Sequence, residues 1–330
     1  MKVLITGANG FLGKHVVKEL ERDHELVTPG SDELDLLEVK VWNEGFVRHN
    51  GGRALSYWLQ DHGPFDAIVH LAATCGGIGI NKDNPGRFIY ENLQMGVNVL
   101  EAARLASVPK VIMLGTVCAY PKFTPVPFCE SDLWNGYPEE TNAPYGIAKK
   151  TLMEMGIAYA RQYGMDITNL VPVNMAGEWD NFDEYSSHVI PAIIKKFEND
   201  ARVTVSFEYD SPMVAVENSH IELWGTGSAS REFLYAGDCA RAIAVALEKN
   251  VGPEPINLGT GKEITIKELA EMIKRIGGYG HDIYWDTSKP DGQPRRCLST
   301  KRASSRLRWE ATTSLEEIIR RTIRWYRENV

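Results

Sequence analysis

Tyr145 and Lys149 stand four residues apart in a segment, 145–163, whose pattern reads as a helix. Residues at that spacing share a helix face, so the phenol and the ammonium can enter one pocket. A free tyrosine ionises near pH ~10. A neighbouring cation favours the phenolate, which predicts a tyrosine able to exchange a proton near neutral pH. A solvated helix face would display the same two residues with no chemistry at all. The chemical reading gains from the other end of the chain, Gly7-Ala-Asn9-Gly10-Phe11-Leu12-Gly13. This turn follows the apolar run Val3-Leu4-Ile5 and precedes a helical pattern through Val16, Val17 and Leu20. Strand, glycine turn and helix form the context of a dinucleotide-binding fingerprint. Gly7 permits the tight turn, Gly10 lets backbone approach a pyrophosphate, and Gly13 lets helix and strand pack closely. The helix N-terminus then faces the anion. Turn and pair together predict hydride chemistry on a carbonyl or alcohol.

Further candidates lie where strands end. Leu114-Gly115-Thr116-Val117-Cys118 follows an apolar strand directly. Thr116 is placed to hydrogen-bond a substrate oxygen beside Tyr145. A thiol at Cys118 can act as a base toward an acidic proton next to a ketone, or simply serve as a small buried hydrophobe; position alone leaves both open. His188, at a helix start, reads on its own as a cap or surface residue. Lys196, Arg231, Lys289, Arg295 and Arg296 could meet a diphosphate, although each singly reads as solvated charge.

A chain of 330 residues, 43% hydrophobic, supports a large core in two lobes. The net charge of −8, without a basic block, argues against nucleic-acid or membrane-surface partners. Five scattered cysteines, Cys75, Cys118, Cys129, Cys239 and Cys297, form no CxxC and suit a reducing compartment. No apolar run is long enough to span a bilayer, and a strand from residue 2 leaves no room for a signal peptide. A cytoplasmic protein without a metal site is expected. Strands at 2–6, 25–27, 67–72, 110–114 and 168–171 alternate with helices near 12–22, 86–106 and 145–163. This predicts an α/β fold, a Rossmann-type doubly wound parallel sheet with a smaller α/β substrate-binding lobe. The expected division is 1–172 plus about 232–258 for the dinucleotide, and 173–231 plus 259–330 for the substrate. In the second half, helices are expected at 187–197, with serine caps, 237–248, 262–276, with Thr265 as cap, and 314–329. Residues 200–220 read as a hairpin.

These features resemble the extended short-chain dehydrogenase/reductase superfamily and, within it, the GDP-L-fucose synthase family. The similarity spans nearly the whole chain. It is most specific in Gly76-Gly-Ile78, Phe88-Ile-Tyr-Glu-Asn92, Cys118-Ala-Tyr-Pro121, Asp180-Asn-Phe182, Ser187-His-Val-Ile-Pro-Ala192, Arg231-Glu-Phe-Leu234 and Lys289-Pro-Asp-Gly292. The resemblance implies 3,5-epimerisation and 4-reduction of GDP-4-keto-6-deoxy-D-mannose. Cys118 would be the base and His188 the acid of epimerisation. Tyr145, assisted by Lys149 and Thr116, would protonate the C4 oxyanion. Lys196, Arg231 and Lys289 would hold the diphosphate, and Trp224 would line the nucleotide pocket. The cofactor would meet Gly7, Asn9, Gly10, Phe11, Leu12, Gly13, Ser31, Asp35, Leu36, Leu71, Ala72, Ala73, Tyr145, Lys149, Pro172, Asn174, Met175 and His188. NADPH is the implied reductant. NAD is the alternative, because Asn9 and Ser31 stand where relatives often place arginines. A homodimer through the Tyr145 helix and the helix near 91–106 is also implied. The usual Asn-Leu-Tyr-Gly-Pro is replaced by Asn174-Met-Ala-Gly177-Glu-Trp179, and 203–220 is longer than expected. A 4-reductase, dehydrogenase or epimerase for another nucleotide sugar is therefore the second reading, and a non-catalytic dinucleotide sensor the third.

Overall fold

The computed structural model describes residues 1–37, 40–43, 46–49, 51–200, 206–208, 211–213, 220–289, 291 and 293–330. β1 (Lys2–Thr6) runs through the glycine turn into α1 (Phe11–Leu20) and then β2 (Glu25–Val27). An antiparallel pair, β3 (Lys40–Asn43) and β4 (Phe46–His49), and α2 (Gly51–His62) lead to β5 (Ala67–His70). α3 (Ile78–Asp83) and α4 (Pro85–Leu105) precede β6 (Lys110–Leu114). Single turns at Val117–Ala119 and Glu130–Trp134 punctuate the passage to α5 (Ala143–Tyr163) and β7 (Asp166–Pro172). The second half holds β8 (Asn174–Ala176), α6 (Val189–Asp200), β9 (Ser206–Glu208), β10 (Ser211–Met213), β11 (His220–Trp224) and β12 (Ser230–Tyr235). It ends with α7 (Ala236–Glu248), β13 (Ile256–Leu258), β14 (Glu263–Thr265), α8 (Ile266–Gly277), β15 (Asp282–Asp286) and α9 (Leu315–Asn329).

Six strands form one parallel sheet in the order β13-β7-β6-β5-β1-β2. The strands are apolar on both faces, as parallel strands covered by helices must be. Val3, Ile5, Val69 and Ile112 pack with Val16, Leu20, Ala240 and Ile243 of α1 and α7. Leu4, Ile68, Val111 and Met113 pack on the opposite face with residues of α2, α4 and α5, among them Leu59, Leu100 and Leu152. The fold is a Rossmann-type doubly wound α/β fold. The chain leaves β1 for β2 and returns on its other side at β5, so the topological switch lies between β1 and β5. Ligands of open α/β sheets bind there, outside the carboxyl ends of the strands. A third core joins α6, α8 and α9 through Ile194, Phe197, Ile273 and Ile319.

Several expectations shift. The strand expected at 67–72 stops at His70, because Leu71–Ala73 turns beneath Gly7. Ser187 does not cap α6: its hydroxyl is buried without a partner, and the His188 carbonyl accepts the Ala192 N–H instead. Thr265 does cap α8, within a reciprocal box with Glu268. In 200–220, β9 and β10 form an antiparallel pair, while 201–205, 209–210 and 214–219 lie outside the described residues.

Glu232, fully buried on β12, ties that strand to the 260–261 loop and to Leu298. Its carboxylate accepts backbone N–H bonds from Thr260, from Gly261 at 2.6 Å and from Leu298 at 2.6 Å. Burial pushes this carboxyl above its usual range, and the N–H groups oppose that shift. Glu232→Ala would strand the buried Leu298 donor and two part-buried donors and is expected to lower unfolding free energy by roughly 3 kcal/mol. Urea denaturation checks this; an unchanged midpoint and slope would contradict it.

Candidate active site

The turn after β1 is built for close approach. Gly7 has φ +72°, and a Cβ there would lie 2.6 Å from the Ala72 nitrogen. A Cβ on Gly13 would overlap the carbonyl oxygens of Gly7 and Ala8. The Leu71 N–H donates to the Thr6 carbonyl at 3.1 Å, so the ends of β1 and β5 abut. Asn9 and Gly10 are exposed, with Phe11 and Leu12 half-buried behind them. No side chain caps α1 at Gly10, and its first turn carries no acidic residue. Its leading N–H groups are therefore available to an anion. The cradle fits a dinucleotide pyrophosphate. Beyond β2, Ser31 is exposed, and Asp35 Oδ1 accepts the Leu37 N–H at 2.8 Å. Leu36 is buried, its carbonyl taken by Asn98 Nδ2 at 2.8 Å. Pro172 closes β7. Asn174 Nδ2 donates to the Glu232 carbonyl at 3.1 Å, and Met175 packs against the sheet core.

The reacting groups gather one strand over. Tyr145 and Lys149 lie one turn apart on α5. Between them, a Cβ on Gly146 would overlap the Cys118 carbonyl oxygen, so α5 rests directly on the Val117–Ala119 turn. Thr116 Oγ1 accepts the Cys118 N–H at 3.2 Å and also hydrogen-bonds the Tyr145 side chain. The expected lowering of Tyr145 is corrected. Burial, followed by the nearby thiols Cys75 and Cys118, holds the phenol well above its ordinary value, and Thr116 opposes this only in part. Tyr145 is a neutral phenol, suited to giving a proton. Lys149 is 3% exposed and makes no hydrogen bond among the described residues. Burial pulls it down to about 8, with Cys75 opposing. His70, bonded through Nδ1 to Thr6 Oγ1 at 2.8 Å, is forced down to about 3 by burial and then by Lys149.

Two residues to which sequence reasoning gave no individual role adjoin this group. Cys75 sits in the loop after β5, reachable by solvent yet set among enough protein for burial to push its thiol up. Asp180, buried with Oδ2 unpartnered, is pushed up to about 7 by burial. Their loops are joined where the Gly77 N–H donates to the Ser186 carbonyl at 2.9 Å. His188 follows, with its side chain exposed and its pKa lowered by the surrounding protein.

The basic residues divide into separate places. Arg231 Nη1 donates to the carbonyls of Ser230 at 2.7 Å and Gln293 at 2.6 Å. Burial and then Arg296 lower it to about 10. Lys196 Nζ donates to the Glu222 carbonyl at 2.6 Å on β11. Trp224 ends that strand 67% exposed, with Lys289 Nζ 5.7 Å from its ring centroid. Arg295 is exposed and paired with Glu263, whereas Arg296 turns inward toward Cys118. Of the five basic residues expected to be able to meet a diphosphate, these two neighbours point to different partners. Among the described residues no cluster of three His, Cys, Asp or Glu could hold a metal, and no helix is long and apolar enough to cross a membrane.

The model of the NAD dependent epimerase/dehydratase family matches residues 3–259. The chain belongs to that family. Its members are enzymes that work with a nicotinamide dinucleotide. GDP-L-fucose synthase of Escherichia coli (strain K12) is 35% identical over 339 residues, covering 99% of this chain and 97% of the relative. A GDP-6-OMe-4-keto-L-xylo-heptose reductase from C. jejuni superposes with a TM-score of 0.85 at 26% identity, covering 100% of this chain and 98% of that one. A GDP-L-fucose synthetase from Naegleria fowleri bound to NADP superposes with a TM-score of 0.81 at 26% identity, covering 99% and 93%.

Within this epimerase/dehydratase fold the Lys149 ammonium makes a stability prediction. Folded Lys149 holds its proton more weakly than the unfolded chain does. Stability from this group therefore rises with pH between about 8 and the ordinary 10.5. Lys149→Met is expected to abolish that rise and to stabilise the dinucleotide-free protein near pH ~7 by up to about 3 kcal/mol. Chemical unfolding at pH ~7 and ~9.5 reads both effects. A variant less stable than the parent at the lower pH would contradict the assignment of a strained, unpartnered cation.

Proposed function

We propose that the chain is a GDP-4-keto-6-deoxy-D-mannose 3,5-epimerase/4-reductase forming GDP-L-fucose with NADPH. The observation that carries the reading is the convergence of Thr116, Cys118, Tyr145 and Lys149 beside the cradle at Gly7–Gly13, in a chain 35% identical to a GDP-L-fucose synthase along its length. NADPH, when bound, supplies the hydride for C4. The Gly7–Gly13 turn, with Asn9, Gly10, Phe11 and Leu12, would take its pyrophosphate. Ser31, Asp35 and Leu36 would lie by the adenosine half, and Leu71, Ala72, Ala73, Pro172, Asn174, Met175 and His188 by the rest. Lys149, with no acceptor among the described residues, would gain one in the nicotinamide ribose. The Naegleria relative's bound NADP supports the coenzyme.

Cys118 takes a carbon-bound proton next to the ketone, and His188 returns one to the other face, inverting C3 and then C5. Tyr145, a neutral phenol, hands its proton to the C4 oxygen while Thr116 holds it in line. Arg231, Lys196 and Lys289 grip the diphosphate, and Trp224 offers its exposed ring to the guanine. The lobes divide at 172 and 232–258, a reading supported by β13 joining the parallel sheet. The chain acts in the cytoplasm as a homodimer joined through α4 and α5. Tyr90 and Val97, seven residues apart on α4 and exposed at 61% and 38%, suit such a face.

A plain 4-reductase acting on another GDP-sugar is the second reading. Trp179 favours it. The residue adopts φ +63° and packs edge-on against His15, ring centroids 4.8 Å apart, within the segment that departs from the usual motif.

Two variants test the leading reading. Cys118→Ser is expected to end solvent deuterium incorporation at C3 and C5, read by NMR. Tyr145→Phe is expected to lower NADPH oxidation at least a hundredfold while leaving that incorporation in place. Incorporation at the parental rate in Cys118→Ser would remove Cys118 as the base.

A further inference from the structure

We propose that Arg296 is a positioning residue for Cys118, its guanidinium holding the sulfur and balancing the negative charge of the deprotonated thiol. This rests on the reading of Cys118 as the epimerisation base. Arg296 is only 8% exposed, although it ends a turn otherwise rich in surface charge. Its Nε and Nη2 donate to Gln293 Oε1 at 3.3 and 2.9 Å, which fixes the plane of the guanidinium. Nη1 is then aimed at Cys118 Sγ, 3.7 Å away. The Cys118 backbone is fixed in turn by its N–H bond to Thr116 Oγ1. Arg295, one residue earlier, faces outward to Glu263 and takes no part.

A second guanidinium completes the site. Arg231 feels Arg296 as a repulsive charge and Cys118 as an attractive one. Glu139 acts on Arg231 as well, more weakly than the sulfur does. Like charges that repel one another, one buried and one half-buried, destabilise one another unless an anion lies by them. Among the described residues no carboxylate forms an ion pair with Arg296, so the sulfur is the anion on offer. An arginine beside a cysteine favours the thiolate, and a charge-assisted N–H···S bond directs it. In the epimerisation the thiolate takes the carbon-bound proton: the C–H bond breaks, S–H forms, and the electron pair passes to the ketone oxygen as an enolate. Arg296 favours the starting thiolate for each such cycle and fixes the direction from which it attacks.

The test is the pH dependence of Cys118 alkylation by iodoacetamide, read peptide by peptide in the full chain, with exposed Cys129 as internal reference. Near pH ~7, Cys118 is expected to be alkylated in the parent protein, with Cys129 setting the rate scale. Arg296→Gln is expected to slow Cys118 roughly tenfold there, with recovery near pH ~10, and Arg296→Lys to restore most of the rate. Deuterium incorporation at C3 and C5 should fall by the same factor through kcat, with KM little changed. A Cys118 rate that Arg296→Lys fails to sustain, read against Cys129, would overturn the proposal even if the glutamine variant failed to fold. An unaltered profile in Arg296→Gln, or a raised KM at constant kcat, would also overturn it, the latter marking a diphosphate contact. A parent protein that incorporates no deuterium, yet shows the Arg296-dependent alkylation, would instead sink the epimerase reading alone.

Discussion

A lysine 3% exposed and without a hydrogen bond among the described residues is the constraint around which the cleft is arranged. Desolvation disfavours the Lys149 charge; burial, and then that charge, keep His70 neutral, and the charge also acts on the Cys75 thiol. A cation in that state destabilises the dinucleotide-free protein and lowers its free energy when hydroxyl acceptors arrive. Binding is thus coupled to relief of a built-in penalty, which is a recurrent use of strained groups at functional sites. The same burial keeps Tyr145 protonated. A neutral phenol beside a weakened cation is a proton donor awaiting an oxyanion, in contrast to a resident phenolate.

Placing that pair against the rest of the site is a matter of backbone approach. Gly146 allows α5 to lie on the Cys118 carbonyl, and Thr116 bridges the Cys118 N–H and the Tyr145 hydroxyl. The parallel sheet delivers the other parts, because the carboxyl ends of β1, β5, β6 and β7 all open on one edge. The Glu232 carboxylate then fixes the 259–261 loop and Leu298, two residues beyond Arg296. The loop after β5 is stitched to the loop carrying His188. Rigid elements position the donors, while the short loops between them carry the chemistry.

Much of this was legible in the residues. The runs at 2–6, 25–27 and 110–114 have their strand limits fixed by apolar β-formers and turn residues, and they match the observed strands. Thr265 and Glu268 announce a helix start through their spacing, because the cap needs only local contacts. α2 and α3 were not foreseen: each opens among glycines or follows a glycine pair, which masks helical periodicity. Burial, a tertiary property, explains the remaining misreadings. Sequence placed a cation one turn from Tyr145 but could not show that burial and the thiols of Cys75 and Cys118 govern its ionisation. Arg295 and Arg296 are adjacent and alike, and only the fold sends one to Glu263 and the other to Cys118. Cys75 and Asp180 meet because two loops distant in sequence are hydrogen-bonded together, a pairing no local pattern reports.

The central claim is that one cleft both inverts the sugar carbons and reduces the ketone. Conversion of GDP-4-keto-6-deoxy-D-mannose with NADPH in deuterium oxide, followed by NMR of the isolated product, tests it in one tube. The account predicts GDP-L-fucose carrying deuterium at C3 and C5, with one NADPH oxidised per product. A C4-reduced product with neither carbon labelled or inverted would contradict it and identify the chain as a reductase alone.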